Sequence, residues 1–188
     1  KTWGPGGSVV GSIEIDNMEN IYMTGYTVGS PDGNANAGKS GDCGELPWGP
    51  EGSSCPDPFL IKMNKNGEIL WTKQFGSEDI NITDFGIDVA VDNNGGVYTL
   101  SYSRIYGGNK IILRKFNESG KLIWQRIHDS KRNNYFEGTA LSIDVATSHI
   151  EISDSFFENE FSKKEGRILS FNIENGTLMS ELKYPLVN

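Results

Sequence analysis

No apolar run in this chain approaches the roughly 20 residues that a membrane-spanning helix needs. The longest, around Ile111, Ile112 and Leu113, is cut at once by Arg114 and Lys115. A Lys/Arg cluster is also missing. With a formal net charge of −8, the chain lacks the basic footprint that displaces counterions from phosphates, which argues against nucleic acid and against anionic lipid as partners. Histidine is scarce. His128 and His149 occupy unrelated positions and have no Cys or carboxylate partners at ligand spacing, so they read as surface residues and no transition-metal site is expected. No nucleophile elbow or comparable motif occurs, and no catalytic residue is assigned. No stretch of useful length carries a helical apolar stripe. A secretory signal is also lacking, which by itself decides nothing about localisation.

What the 188 residues do contain is repetition. Glycine, at 23 residues, sits at intervals between short apolar runs, the punctuation that many turns and short strands require. The string FLIKMNKNGEILWTKQFG from Phe59 returns as ILRKFNESGKLIWQRIHD from Ile112, with Trp71 and Trp124, and Gly67 and Gly120, both 53 residues apart. IEIDNMENIYMTGYT from Ile13 returns as VAVDNNGGVYTLSYS from Val89, with Asp16 and Asp92, and Tyr22 and Tyr98, both 76 apart. The extra length lies between Tyr26 and Phe59, an insertion in the first unit. A worn third copy runs from Leu141 and from Arg167; it keeps Asp144, Phe171, Asn172 and Gly176 but has Ser180 where the others have Trp. Each unit reads as four short strands with period-two patterning and Asn/Asp/Gly turns. Such a unit recurring every 50 or so residues predicts an all-β chain of β-propeller blades, with inner strands near Ile13–Ile15, Val89–Val91 and Leu141–Ile143. Trp71 and Trp124 are expected to pack between neighbouring sheets.

The strings NIYMTGYT and PFLIKMNKNGEILWTKQFG resemble the SBBP-type β-propeller repeat of bacterial and archaeal surface proteins. The first unit matches best and the third by register alone. The resemblance implies a propeller, export, and a binding or scaffolding role. The units are placed at 7–77 with an insertion loop at 28–58, at 78–130, and at 131–188. Residues 1–6 are read as the end of a preceding blade's outer strand, since Lys1–Gly4 aligns with Lys73–Gly76. About three units do not close a ring alone, so further blades or a neighbouring protein are expected to cover the first and last faces.

The insertion holds both cysteines. Cys43 and Cys55 flank Gly/Pro-rich sequence and are expected to form a disulfide, the mark of an oxidising compartment; in the chain-entropy view a bond of this span contributes about 3 kcal/mol. Asp32, Asn34, Asn36 and Asp42 alternate in a way that could wrap Ca²⁺, although a plain polar loop accounts for them better. Pro47, Trp48 and Pro50 are the candidate contact surface. Asn81, Asn117 and Asn175 head Asn-x-Ser/Thr sequons, the latter two in the same turn of successive units. The expectation is a non-catalytic, extracellular or cell-surface propeller module for adhesion, recognition or filament assembly, with no cofactor and with glycans as candidate ligands. The alternative is a part of an exported propeller enzyme, glycan-active or quinoprotein-like, whose site lies in other blades.

Overall fold

A computed structural model describes residues 7–29, 55–76, 83–104, 110–129, 140–144, 148–157 and 164–185. Every regular element among them is a strand. The twelve strands are β1 (Ser8–Ile15), β2 (Ile21–Thr27), β3 (Asp57–Met63), β4 (Ile69–Gln74), β5 (Thr83–Val91), β6 (Val97–Arg104), β7 (Lys110–Phe116), β8 (Leu122–Asp129), β9 (Ala140–Asp144), β10 (His149–Phe157), β11 (Lys164–Asn172) and β12 (Leu178–Pro185). They form three separate four-stranded sheets, β1–β4, β5–β8 and β9–β12, each an up-and-down antiparallel meander. The period-two pattern and the turn spacing predicted this arrangement.

The turns explain the register. In the β3–β4 turn the amide of Gly67 donates to Asn64 O at 2.9 Å, and Gly67 has φ +79°. Gly120 (φ +76°) and Gly176 (φ +68°) hold the same place in the next two sheets. Left-handed backbone favours glycine, which fixes why the Asn-x-x-Gly signature recurs. A bulge follows in each outer pairing, at Lys62/Met63, Lys115/Phe116 and Ser170/Phe171. That bulge puts Trp71 opposite Lys62 and Trp124 opposite Lys115.

The sheets stack face to face. Their first strands, β1, β5 and β9, lie side by side at one edge of the stack, and the core fills the two seams. In the first seam Tyr22 and Leu60 of the first sheet meet Val89, Val97 and Phe116 of the second, with Trp71 and Phe75 packed against them. In the second seam Tyr98, Leu100, Leu113 and Trp124 meet Ile150, Ile152, Leu169 and Phe171. Each such side chain removed from water stabilises the stack by about 1.5–3 kcal/mol. Every sheet thus has a front face, pointing along the chain toward the next sheet, and a back face pointing toward the previous one. Where β1, β2 and β5 converge, backbones touch: a Cβ on Gly86 would lie 2.2 Å from the carbonyl oxygen of Gly25. Only glycine fits there.

Candidate functional site

The polar chemistry of the described residues concentrates at the seams, and it is built twice from one set of residues. Asp16 and Asp92 end the first strands of their sheets. Each carboxylate caps its hairpin turn: Asp92 Oδ1 accepts from Asn94 N and Gly96 N, both at 2.8 Å, and Asp16 Oδ1 accepts from Met18 N at 2.9 Å and Asn20 N at 2.8 Å. The oxygen-rich Asp92–Gly95 stretch is therefore hairpin chemistry. The other carboxylate oxygen receives a tyrosine hydroxyl from β2 or β6. Tyr98 donates to Asp92 Oδ2 at 2.8 Å and Tyr22 to Asp16 Oδ2 at 3.2 Å.

A lysine and a tryptophan complete each set. Lys62 Nζ stands 5.2 Å from the centroid of the Tyr22 ring, and Lys115 Nζ 5.1 Å from that of Tyr98. Trp71 meets Tyr22 edge-on at 6.2 Å, and Trp124 meets Tyr98 at 6.1 Å. The front faces then grip the β3–β4-type turn of the next sheet. Trp71 Nε1 donates to Glu118 O at 3.1 Å while Lys62 pairs with the Glu118 carboxylate at 3.2 Å. One sheet on, Lys115 donates to Ile173 O at 3.2 Å and Arg126 to the Asn175 carbonyl. The two indoles lie over Gly120 and Gly176, whose missing side chains leave room for the rings.

Burial and these contacts set the ionisation. Burial first, then the hydrogen bond to Asp92 and its charge, push the Tyr98 hydroxyl far above the usual tyrosine range. Burial likewise raises Tyr22, although Lys62 opposes it. Burial works against the charge of Lys62, but Tyr22 and Glu118 outweigh it and the ammonium is held more firmly than usual. Burial works to raise Asp16 too, and the hydrogen bonds from Asn20, Met18 and Tyr22 turn the balance, leaving it below the ordinary carboxylate value. At neutral pH these shifts hold Tyr22 and Tyr98 as neutral phenols, Lys62 as a cation and Asp16 as a carboxylate.

Beside the first seam, on the turn side, opens a groove of about 660 Å³ whose lining includes Lys62, Trp71, Asp92, Lys115, Asn117 and Glu118. It offers an aromatic wall and charges of both signs. Asn117 is half-buried here; its Oδ1 accepts from Ser119 N, Ser119 Oγ and Lys121 N. Asn175 is exposed in the matching turn, one residue longer, where its Oδ1 accepts from Thr177 N and Oγ1. Both sequons therefore also serve turn geometry.

Other predicted residues fall differently. Cys55 is fully buried just before β3, and no described cysteine is a free thiol. Cys43, Asn81, the candidate cation ligands Asp32, Asn34, Asn36 and Asp42, and the candidate contact residues Pro47, Trp48 and Pro50 lie outside the described residues, as does the segment 1–6. No group of three or more His, Cys, Asp or Glu side chains is gathered at metal-binding distances among the described residues. His128 is not a free surface residue: it is half-buried in the second seam, edge-on to Phe171 at 6.2 Å. The tyrosines and lysines of the seams escaped assignment by sequence, yet the signal was present, because Tyr22/Tyr98 and Lys62/Lys115 recur at the same spacings as the acids and tryptophans.

Comparison with protein families bears directly on these seams: residues 70–107, from the Trp71 strand through β5 and β6, match the SBBP family, a β-propeller repeat. Over that segment the chain is similar to an SBBP β-propeller repeat. The match straddles the first seam, covering the outer strand of one sheet and the two inner strands of the next. The three meanders are accordingly propeller-like blades. No curated protein matches the chain, and no helix among the described residues is long and apolar enough to cross a membrane.

Proposed function

We propose that this chain is a non-catalytic binding and assembly module, one stretch of a larger propeller or surface array that works outside the cell. The observation that carries the reading is the duplicated Asp–Tyr–Lys–Trp set. The conspicuous polar and aromatic side chains of the first two blades are consumed in holding one blade to the next, which is scaffold chemistry. What they leave accessible is the seam groove beside Trp71 and the exposed blade rims. An aromatic wall flanked by Asn117, Lys115 and Glu118 suits a polyhydroxylated ligand such as a glycan. A Cys43–Cys55 bond pinning the insertion, and glycans on Asn117 or Asn175, belong to the same extracellular reading.

The experiment is a paired binding and turnover assay. The purified chain is passed over a panel of immobilised polysaccharides, and the same panel is assayed for released sugar or altered chain length. Retention of one polymer without turnover, weakened by Trp71→Ala, is the expected result. Release of product that scales with protein concentration would overturn the module reading in favour of an enzyme.

A further inference from the structure

One place in the first seam breaks the repeat inside its core. Met23 faces Ile61 across β2 and β3 in the first sheet, and Ile152 faces Leu169 across β10 and β11 in the third. At the same register of the second sheet, Thr99 faces Arg114. Thr99 is 0% exposed and Arg114 5%. Two of the three sheets fill this place with an apolar pair, so packing alone does not call for a cation. A buried guanidinium gives up its hydration at a large cost, which an apolar pair of similar volume avoids. A charge kept against that cost calls for a partner.

The described residues do not supply one. None of their carboxylates lies within ion-pair distance of Arg114. Asp84 acts on it only through its field, and burial outweighs that field, bringing the Arg114 pKa down to about 10. Arg114 Nε donates to Gln125 Oε1 at 2.7 Å and Nη1 donates to Ser101 Oγ at 3.1 Å, which leaves Nη2 with no acceptor among the described residues. The Phe75 ring of the first sheet covers the guanidinium, 4.6 Å from Cζ. Ser101 is 1% exposed and accepts from Arg114, so its own proton is left over. Thr99 Oγ1 has no partner, unlike Thr24 Oγ1 in the first sheet, which donates to Phe59 O at 2.7 Å. Three groups thus bring spare donors to one buried place and no spare acceptor. A water could accept from two of them, but it would add two protons of its own. An anion adds acceptors alone.

We infer that the first seam binds a small monovalent anion of the chloride class, held by Arg114 Nη2 and the hydroxyls of Thr99 and Ser101. One guanidinium charge, partly offset by the field of Asp84, does not balance a divalent oxyanion, and neighbours buried this deeply exclude a large one. Arg114 belongs to the second sheet and the ring over it to the first, so the anion fastens one blade to the next. The site is independent of the glycan groove and of the module reading.

The test is thermal unfolding of the full chain in sodium chloride against sodium gluconate, at fixed ionic strength and pH. The parent should gain about 5 °C in Tm, along a saturating curve, as chloride reaches about 100 times its Kd. T99I/R114L writes the Ile152–Leu169 pair of the third sheet into the second. It should fold and should lose the chloride response. A parent indifferent to chloride overturns the inference, and so does a response that T99I/R114L retains. Should the double variant not fold, crystals of the parent grown in sodium bromide give a second measurement that needs no variant. An anomalous peak is expected beside Arg114 Nη2. Its absence overturns the inference, whether the place then holds a water or nothing.

Discussion

Tyr98→Phe isolates one hydroxyl in the second seam. Tyr98 is fully buried, its partner Asp92 is nearly so, and the bond is 2.8 Å to a carboxylate oxygen. Removing a hydrogen bond to a buried charge costs about 1.5–3 kcal/mol, because Asp92 Oδ2 loses its donor where water cannot replace it. Tyr22→Phe is the internal control. Its bond is longer at 3.2 Å, Asp16 is only half-buried, and the same Oδ2 keeps a second donor, Asn20 Nδ2, at 2.8 Å. Its cost should be about 0.5–1 kcal/mol. Urea unfolding of the two variants, followed by tryptophan fluorescence, should place Tyr98→Phe about 1–2 kcal/mol below Tyr22→Phe. A double-mutant cycle with Asp92→Ala should return most of that difference as coupling. A Tyr98→Phe variant within about 0.5 kcal/mol of the parent, or one indistinguishable from Tyr22→Phe, would refute a buried Tyr98–Asp92 bond of this strength.

The same hydroxyl predicts alkaline behaviour. The folded-state pKa of Tyr98 is raised above the unfolded value near 10, so its contribution is present in full below pH 10 and is lost as pH rises beyond it, at about 1.4 kcal/mol per pH unit. Stability should fall above pH 10 in the parent and more gently in Tyr98→Phe, as chemical denaturation at stepped pH will read. Gly86→Ala should cost about 3 kcal/mol, since its Cβ meets the Gly25 carbonyl oxygen at 2.2 Å and backbone cannot step aside; Gly7→Ala, with nothing within 4 Å, should be near neutral in the same thermal melt. Glu19 holds φ 62° at the turn position where the second blade has Gly95; Glu19→Gly should raise stability by about 0.5–1 kcal/mol, a gain that the exposed Lys65 ion pair is too weak to cancel. Intact mass after non-reducing alkylation should show no label on Cys43 or Cys55, and two labels per chain would remove the disulfide.

The strand-and-turn rhythm was legible because its causes are local. Alternating apolar residues, Asn-x-x-Gly turns and left-handed glycines act within a few residues of one another, and each is written into the repeat. The seam was half legible. Trp71 and Trp124 stood out as rare residues at fixed spacing, and their packing between sheets followed. The partners they need, Tyr22 and Lys62 or Tyr98 and Lys115, are common residue types whose meeting depends on the bulge after Lys62 and Lys115. No composition rule anticipates a bulge. His128 was misread for a similar reason: a histidine near a strand end reads as solvated, and its contact with Phe171 comes from a different sheet altogether.

The third unit departs from the repeat differently on its two faces. Along the chain it looks merely worn. On its strands the changes separate by side. The back-face positions remain apolar and buried, as Ile150, Ile152, Leu169 and Phe171. The front-face positions alone lose the Tyr–Lys–Trp row, to Glu151, Ser170 and Ser180. Indiscriminate drift would erode both faces, and burial would penalise loss on either if both were covered. The change on the front face is itself selective: Ser170 and Glu151 satisfy one another, while Ile168, Leu182 and Tyr184 keep apolar surface on the same side.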